Sequence, residues 1–228
     1  MTSLNPFLRI STQMIETIQL HQGLDKKAAK EKAIEMLRLA GIPAPEKRID
    51  QYPHQFSGGM RQRVMIAMAL SCNPEILIAD EPTSALDVTI QAQILELMKE
   101  LTRKLGTAVI LITHSLGVVA GMCDTICVMY AGRIVERGRT EDIFENPKHP
   151  YTIGLIRSVP RLDQETKMRL YSIPGQPPNV IDLPDCCPFY PRCEQSMDIC
   201  RGKYPSIVSF ENNQSVACWL YNKETQNA

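Results

Sequence analysis

Apolar residues along this chain recur at helical spacing in some stretches and run unbroken in others, and the two patterns predict different elements. Between Leu24 and Ala40, Ala29, Ala33, Leu37 and Ala40 stand three or four apart among lysines and glutamates, with Asp25 at the start and Gly41 at the stop. That spacing predicts an amphipathic helix. Ser57 is placed to cap a second helix running to about Leu70, which Asn73-Pro74 then breaks. A third is expected over Val88 to Leu105, with Ile90, Ile94, Leu97, Leu101 and Leu105 on one face and Gly106 after it. The stripes read as core. By contrast, Ile76 to Ala79 and Ala108 to Thr113 are short apolar runs that read as fully buried strands. Strand, helix, strand makes a parallel crossover, so the class is α/β. TICVMY and RIVE, separated by Ala131-Gly132, predict a hairpin. After Pro160 helical periodicity fades while prolines and cysteines accumulate, which predicts a smaller irregular domain.

Composition narrows the class. The chain has 228 residues, 44% of them apolar, enough for a sizeable core in one domain with an appendage. Its 25 basic and 25 acidic side chains balance, without a dense Lys/Arg block, so no nucleic-acid partner is expected. No apolar run reaches the ~20 residues of a membrane-spanning helix, and MTSLNPFLRI lacks the charged start and apolar middle of a signal peptide. A cytoplasmic location follows as the expectation. In that compartment the eight cysteines read as reduced thiols or metal ligands rather than a disulfide scaffold. Cys72, Cys123 and Cys127, in helix or strand contexts, read as small core residues.

Chemistry concentrates in ILIADEPTSALD, Ile76 to Asp87, where a strand delivers Asp80 and Glu81 side by side before Pro82 stops it. Open α/β sheets bind ligands at such strand ends, and adjacent strand residues face opposite sides. One acid could hold a metal ion while the other meets a different part of the same ligand. Equally, acids in this place can cap the next helix. QFSGGMRQR puts Gly58 and Gly59 after Ser57 at the mouth of a helix, an arrangement that suits a phosphate, although a plain Ser-capped helix has the same pattern.

FSGGM, ILIADE, SALD and ITH follow one another in that order between Phe56 and His114. The series resembles the ATPase subunit of ABC transporters. The resemblance implies a signature loop at Ser57, Gly58 and Gly59, a Walker B strand ending in Asp80 and Glu81, a D-loop ending in Asp87, and a switch histidine at His114. It further implies that Asp80 helps hold the magnesium of ATP, that Glu81 polarises the attacking water, that His114 contacts the γ-phosphate and that Asp87 lies at a dimer seam. Ser115 stands where an acid often follows the histidine. YPHQFSGGMRQR, with Met60 where glutamine is common, and NPKHPYTIGL at 146 to 155 resemble the oligopeptide/dipeptide-importer branch, whose style nickel importers share. The layout implied is an ABC ATPase domain over 1–158, with a helical subdomain at 1–72 and the Walker B to switch-histidine core at 73–158. A cysteine-containing domain follows at 159–228. A second ATPase subunit, homomeric or heteromeric, and transmembrane permease subunits are the implied partners, at the cytoplasmic face of the membrane. A permease coupling helix is expected to contact the helical segment from Leu4 to Gly41.

One motif of this family is missing: no G-x-x-x-x-G-K-[ST] occurs, and the only Gly-Lys pair, Gly202-Lys203, is followed by Tyr204. The start resembles the segment after the family's Q-loop, so the chain is expected to begin within the domain. A missing neighbour strand would leave Ile76–Ala79 and Ala108–Ile112 with apolar surface exposed. The alternative functions are a catalytically silent partner that donates its signature loop to an intact ATPase, or the ATPase subunit of a nickel importer. In the tail, Cys187, Cys193, Cys200 and Cys218 are separated by five, six and seventeen residues, which is neither a zinc-ribbon nor the usual ferredoxin spacing. Four thiolates could ligate a [4Fe–4S] cluster or zinc, with Cys186 as a substitute, or remain unligated. Similar tails in peptide-importer ATPases hold such clusters in some cases, which the resemblance extends to a structural site here.

Overall fold

The computed structural model describes residues 4–84, 86–159 and 171–222. Ala85 of the SALD stretch and Pro160, where the change of character was expected, lie outside the described residues. The chain forms two compact units, residues 1–114 and 115–228.

In the first unit the helices are α1 (Ile10–Gln22), α2 (Lys26–Leu39), the single turn α3 (Pro45–Arg48), α4 (Gly58–Leu70) and α5 (Val88–Leu105). Local chemistry sets their ends. The Asp25 carboxylate accepts the Ala28 N–H, Ser57 Oγ accepts the Met60 N–H, and Gly106 leaves α5 at a φ of 69°. Asn73, also left-handed at a φ of 50°, turns the chain out of α4 toward the next strand. Alanines 29 and 33 let α2 approach α1 and α4 closely, and Ile10, Met14, Ile18, Leu37, Val64 and Leu70 close the space with no solvent exposure. Each such side chain contributes about 1.5–3 kcal/mol. Helix α1 has no counterpart in the periodicity read from the sequence. On α5 the buried residues are Ile94, Leu97, Met98, Leu101 and Thr102, so Met98 and Thr102 replace Ile90 and Leu105 of the expected stripe.

Strands β1 (Ile76–Asp80) and β2 (Ala108–Ile112) pair in parallel, Ile76 opposite Ala108 through Asp80 opposite Ile112, with α5 as the crossover. The parallel α/β unit is as expected, but full burial is not. Ile76, Ile78, Ile110 and Ile112 are 57, 65, 50 and 49% exposed. With only two strands among the described residues of this sheet, alternate side chains point to a face that nothing in the unit covers.

The second unit contains α6 (Leu116–Met122), β3 (Thr125–Tyr130), β4 (Arg133–Arg139), α7 (Thr140–Glu145), α8 (Pro150–Arg157), the turn α9 (Ile199–Gly202), β5 (Ile207–Ser209) and β6 (Ser215–Ala217). The expected hairpin is β3–β4, and both turn residues are left-handed, Ala131 at 48° and Gly132 at 76°. Its sheet has the order β3-β4-β6-β5, so strands from the C-terminal segment extend a sheet begun at Thr125. Ile126, Val128, Tyr130, Val135, Ile143 and Phe189 form the core beneath it. Cys127, expected in the core, is exposed instead, because alternation on β3 sends Ile126 and Val128 inward. Among the described residues no helix is long and apolar enough to cross a membrane.

A buried carboxylate organises this unit. Glu136 on β4 is 1% exposed and accepts the backbone N–H of Lys148 at 2.6 Å, that of His149 at 2.9 Å and the Gln214 side-chain amide at 2.9 Å. Gln214 also donates to the Asn146 carbonyl at 3.1 Å, and Tyr221 donates to the Lys148 carbonyl at 3.2 Å. The NPKH turn is thereby fastened between β4 and the C-terminal strands. Glu136→Ala removes the acceptor of three hydrogen bonds, two of them from backbone N–H groups, and should destabilise this unit by about 3 kcal/mol, seen as a lower midpoint in chemical denaturation.

Candidate functional site

Asp80 ends β1 exposed to solvent, and the next residue leaves the strand in the left-handed region, Glu81 at a φ of 45°. That conformation is unusual for a residue with a side chain and is held by the Glu81 N–H, which donates to the Ile112 carbonyl at 2.9 Å. It aims the Glu81 carboxylate across the sheet end. Glu81 Oε1 accepts the backbone N–H of His114 at 3.0 Å and lies 2.6 Å from His114 Nδ1. The bond to the His114 ring, with smaller help from its backbone, its charge and the Thr113 hydroxyl, holds the Glu81 carboxyl below the usual carboxylate range. Glu81 is therefore an ionised, oriented acceptor at neutral pH. Its imidazole partner is 86% exposed.

The signature-like loop is joined to this turn within the same unit. Gly58 and Gly59 begin α4 behind the Ser57 cap, and Gly59 lies against α5, where a Cβ would come within 3.0 Å of Ile90 Cγ2. The Gln62 side-chain amide donates to the carbonyl of Pro82, next to Glu81. Asp87 caps α5, its Oδ1 accepting the Ile90 N–H at 2.9 Å, a local role weighed from sequence for Asp80 and Glu81 and not for Asp87. Gln62 was not singled out from the sequence, and a lone glutamine on a helix carries no signal of this bond.

In the second unit Cys187, Cys193, Cys200 and Cys218 line one cavity of about 10 Å³, together with His149, Phe189, Tyr190 and Trp219. Cys186 is buried but does not line it. Burial pushes the Cys187 thiol up to about 11 and the Cys218 thiol to about 12, and raises that of Cys193, so these are neutral thiols at neutral pH. His149 is 1% exposed, and burial lowers its pKa to about 4, leaving a neutral ring. Its Nδ1 accepts the Tyr151 N–H at 3.1 Å. Among the described residues no three His, Cys, Asp or Glu side chains are set to hold a single metal ion.

Comparison with known proteins agrees with both units. The ABC transporter profile matches residues 2–84, and the profile of the oligopeptide/dipeptide transporter C-terminal region matches residues 135–200. The oligopeptide transport ATP-binding protein OppD of Haemophilus influenzae is 54% identical over 220 residues, 96% of this chain and 68% of that protein. OppD of Salmonella typhimurium is 54% identical over 96% of this chain and 65% of its own length. The dipeptide transport ATP-binding protein DppD of Bacillus subtilis is 53% identical over 100% of this chain and 68% of its own length. The chain thus spans about two thirds of the length of these curated relatives. Among solved structures, the dimeric ATP-binding cassette MJ0796 bound to ADP and Pi superposes with a TM-score of 0.52 at 31% identity, over 60% of this chain and 59% of that one. For cbiO1 of Clostridium perfringens the TM-score is 0.55 at 29% identity, over 64% and 56%. With signature-like loop, strand-end acids and histidine in one unit and relatives above 50% identity along nearly all its length, this chain belongs to the ABC transporter family, among the oligopeptide and dipeptide transport ATP-binding proteins.

Proposed function

We propose that the chain is part of an ATPase subunit that energises the import of oligopeptides or dipeptides, working at the cytoplasmic face of the membrane with a second ATPase subunit and permease subunits. The observation that carries this is the Glu81 carboxylate, ionised and held by His114 one residue beyond Asp80 at the end of a parallel strand. Asp80, exposed at that end, offers hard oxygen ligands to the magnesium of Mg-ATP. Glu81 accepts a proton from the water that attacks the γ-phosphorus as the bond to ADP breaks, and His114 turns from Glu81 to the γ-phosphate. Ser57 and the N-terminal amides of α4 at Gly58 and Gly59 meet phosphate oxygens of a nucleotide held by the partner subunit. Asp87 keeps the start of α5 in place at the seam between the subunits.

The 228 residues contain no G-x-x-x-x-G-K-[ST] stretch, so the triphosphate cradle is not among them. That absence favours one alternative reading, a silent partner that lends its signature loop to an intact ATPase. Both readings expect little turnover from the chain by itself. They separate when the wild-type stretch or its Glu81→Gln form replaces the matching segment of a full-length homologue. An active role predicts ATPase activity in which Glu81→Gln lowers kcat by ~10²–10⁴; equal turnover by both forms would exclude it.

We further propose that Cys187, Cys193, Cys200 and Cys218, in a cysteine-bearing C-terminal domain, are the residues that would hold a [4Fe–4S] cluster or zinc, supported by their place around one cavity. Tetrahedral zinc would bring its sulfurs to ~3.8 Å from one another, following from Zn–S bonds of ~2.3 Å. Among the described residues no group of three or more His, Cys, Asp or Glu side chains is set to hold a metal ion, and the four cysteines share only the lining of one small cavity. When bound, such a cluster supplies a covalent tie among distant chain segments and a one-electron couple.

In the first unit, His114→Ala removes the ring that lowers Glu81, and its carboxyl should titrate upward toward 4.5 in a carbon-detected NMR titration. No change would mean that the 2.6 Å contact does not hold in solution. In the second, anaerobic reconstitution with iron and sulfide should give a brown protein with broad visible absorption, lost in Cys200→Ser. Stoichiometric zinc with no colour would overturn the cluster assignment.

A further inference from the structure

Beyond Glu81 the chain turns from the end of β1 toward α5, and the turn is pinned from several sides. The Glu81 N–H donates to the Ile112 carbonyl, while the Glu81 carbonyl accepts the Ser84 N–H at 3.2 Å and the Ser84 hydroxyl at 3.0 Å. The next carbonyl, that of Pro82, accepts the side-chain amide of Gln62. Gln62 lies one turn into α4 and is only 8% exposed, so the loss of that bond leaves a polar group with no ready replacement from water. The start of α4 also meets the far end of the turn. A Cβ on Gly58 would stand 4.0 Å from Leu86 Cδ2, and one on Gly59 3.0 Å from Ile90 Cγ2. Those apolar contacts have no preferred direction, whereas the amide bond is directional and fixes where the Pro82 peptide stands relative to α4. Resting on the reading of Glu81 as the base for the attacking water, we propose that Gln62 is a positioning residue that links the signature-like loop to that base, holding the Pro82 peptide and with it the Glu81 carboxylate in register with the first turns of α4. A phosphate that draws in the amides of Gly58 and Gly59 then shifts the carboxylate of the same subunit along with α4. Gln62 acts through the backbone between Pro82 and Glu81 and needs no contact of its own with nucleotide or water.

Gln62→Met removes the donor at nearly constant length, and Gln62→Leu removes it at similar volume; either variant alone carries the comparison. In the 228-residue protein each should loosen the contact between Glu81 and His114, so that the Glu81 carboxyl titrates upward toward 4.5 in a carbon-detected NMR titration, with no further rise when His114→Ala is added. With the stretch placed in a full-length homologue, Gln62→Met should lower kcat for ATP ~10–100-fold and leave KM within about twofold, since a misplaced base fails at the chemical step. Added to Glu81→Gln it should lower kcat no further, because the group it positions is already gone. A packing role alone predicts losses that multiply across the two substitutions and a Glu81 titration that does not move. Either of those results would overturn the proposal. Equal turnover by the wild-type and Glu81→Gln hybrids fails the ATPase reading itself and removes the inference with it, a result distinct from a Glu81-dependent hybrid that is insensitive to residue 62, which overturns the link alone.

Discussion

A single backbone hydrogen bond, from the Glu81 N–H to the Ile112 carbonyl, carries the parallel ladder one step beyond the end of β1. Without it the chain would leave the sheet at Asp80, and Glu81 would have no reason to adopt a left-handed backbone that costs a side-chain-bearing residue about 1–3 kcal/mol. With it, Asp80 and Glu81 part company. One carboxylate stays at the open strand end, and the other reaches across to residue 114. The different placement of these two neighbouring acids is thus a property of the backbone turn between them. The Gln62 bond to Pro82 ties the start of α4 to the same turn, so signature-like loop and strand-end acids are held by one local framework.

The β1–β2 pair shows a different side of that framework. Apolar β-branched residues were chosen for a strand buried on both faces, yet Ile76, Ile78, Ile110 and Ile112 are about half exposed or more. This surface is as apolar as a core and is contiguous across the two strands in parallel register. Residues of this kind suit a sheet covered on both faces. In the second unit the equivalent organising element is electrostatic. Glu136 is buried with donors from the NPKH turn and from Gln214, and in a medium of low dielectric a satisfied carboxylate fixes geometry that apolar packing alone would leave adjustable. The cysteine cavity is built beside that anchor, with Phe189 and His149 shared between them.

Much was legible from residues alone, for local reasons. Asp25, Ser57 and Gly106 mark helix ends because capping is decided by the nearest few residues, and Ala131-Gly132 marks a hairpin because only a few residue types accept left-handed turns. The strand-end acids, the glycines behind Ser57 and the four tail cysteines stood out as candidates through residue type and order. On helix α1, Ile10, Met14 and Ile18 do stand at helical spacing, whereas strands β5 and β6, at three residues each, carry too little period to be read.

What only the folded chain decided were pairings between residues distant in sequence. That Glu81 meets His114 rather than capping a helix, that Glu136 finds Gln214, that Cys187 lines a cavity that Cys186 does not, and that His149 is brought to that cavity all depend on which elements pack together. Sequence order determines which groups exist and how each short segment bends, because those energies are local. Distances between segments are determined by burial and hydrogen-bond satisfaction summed over whole units, and no short stretch contains that sum.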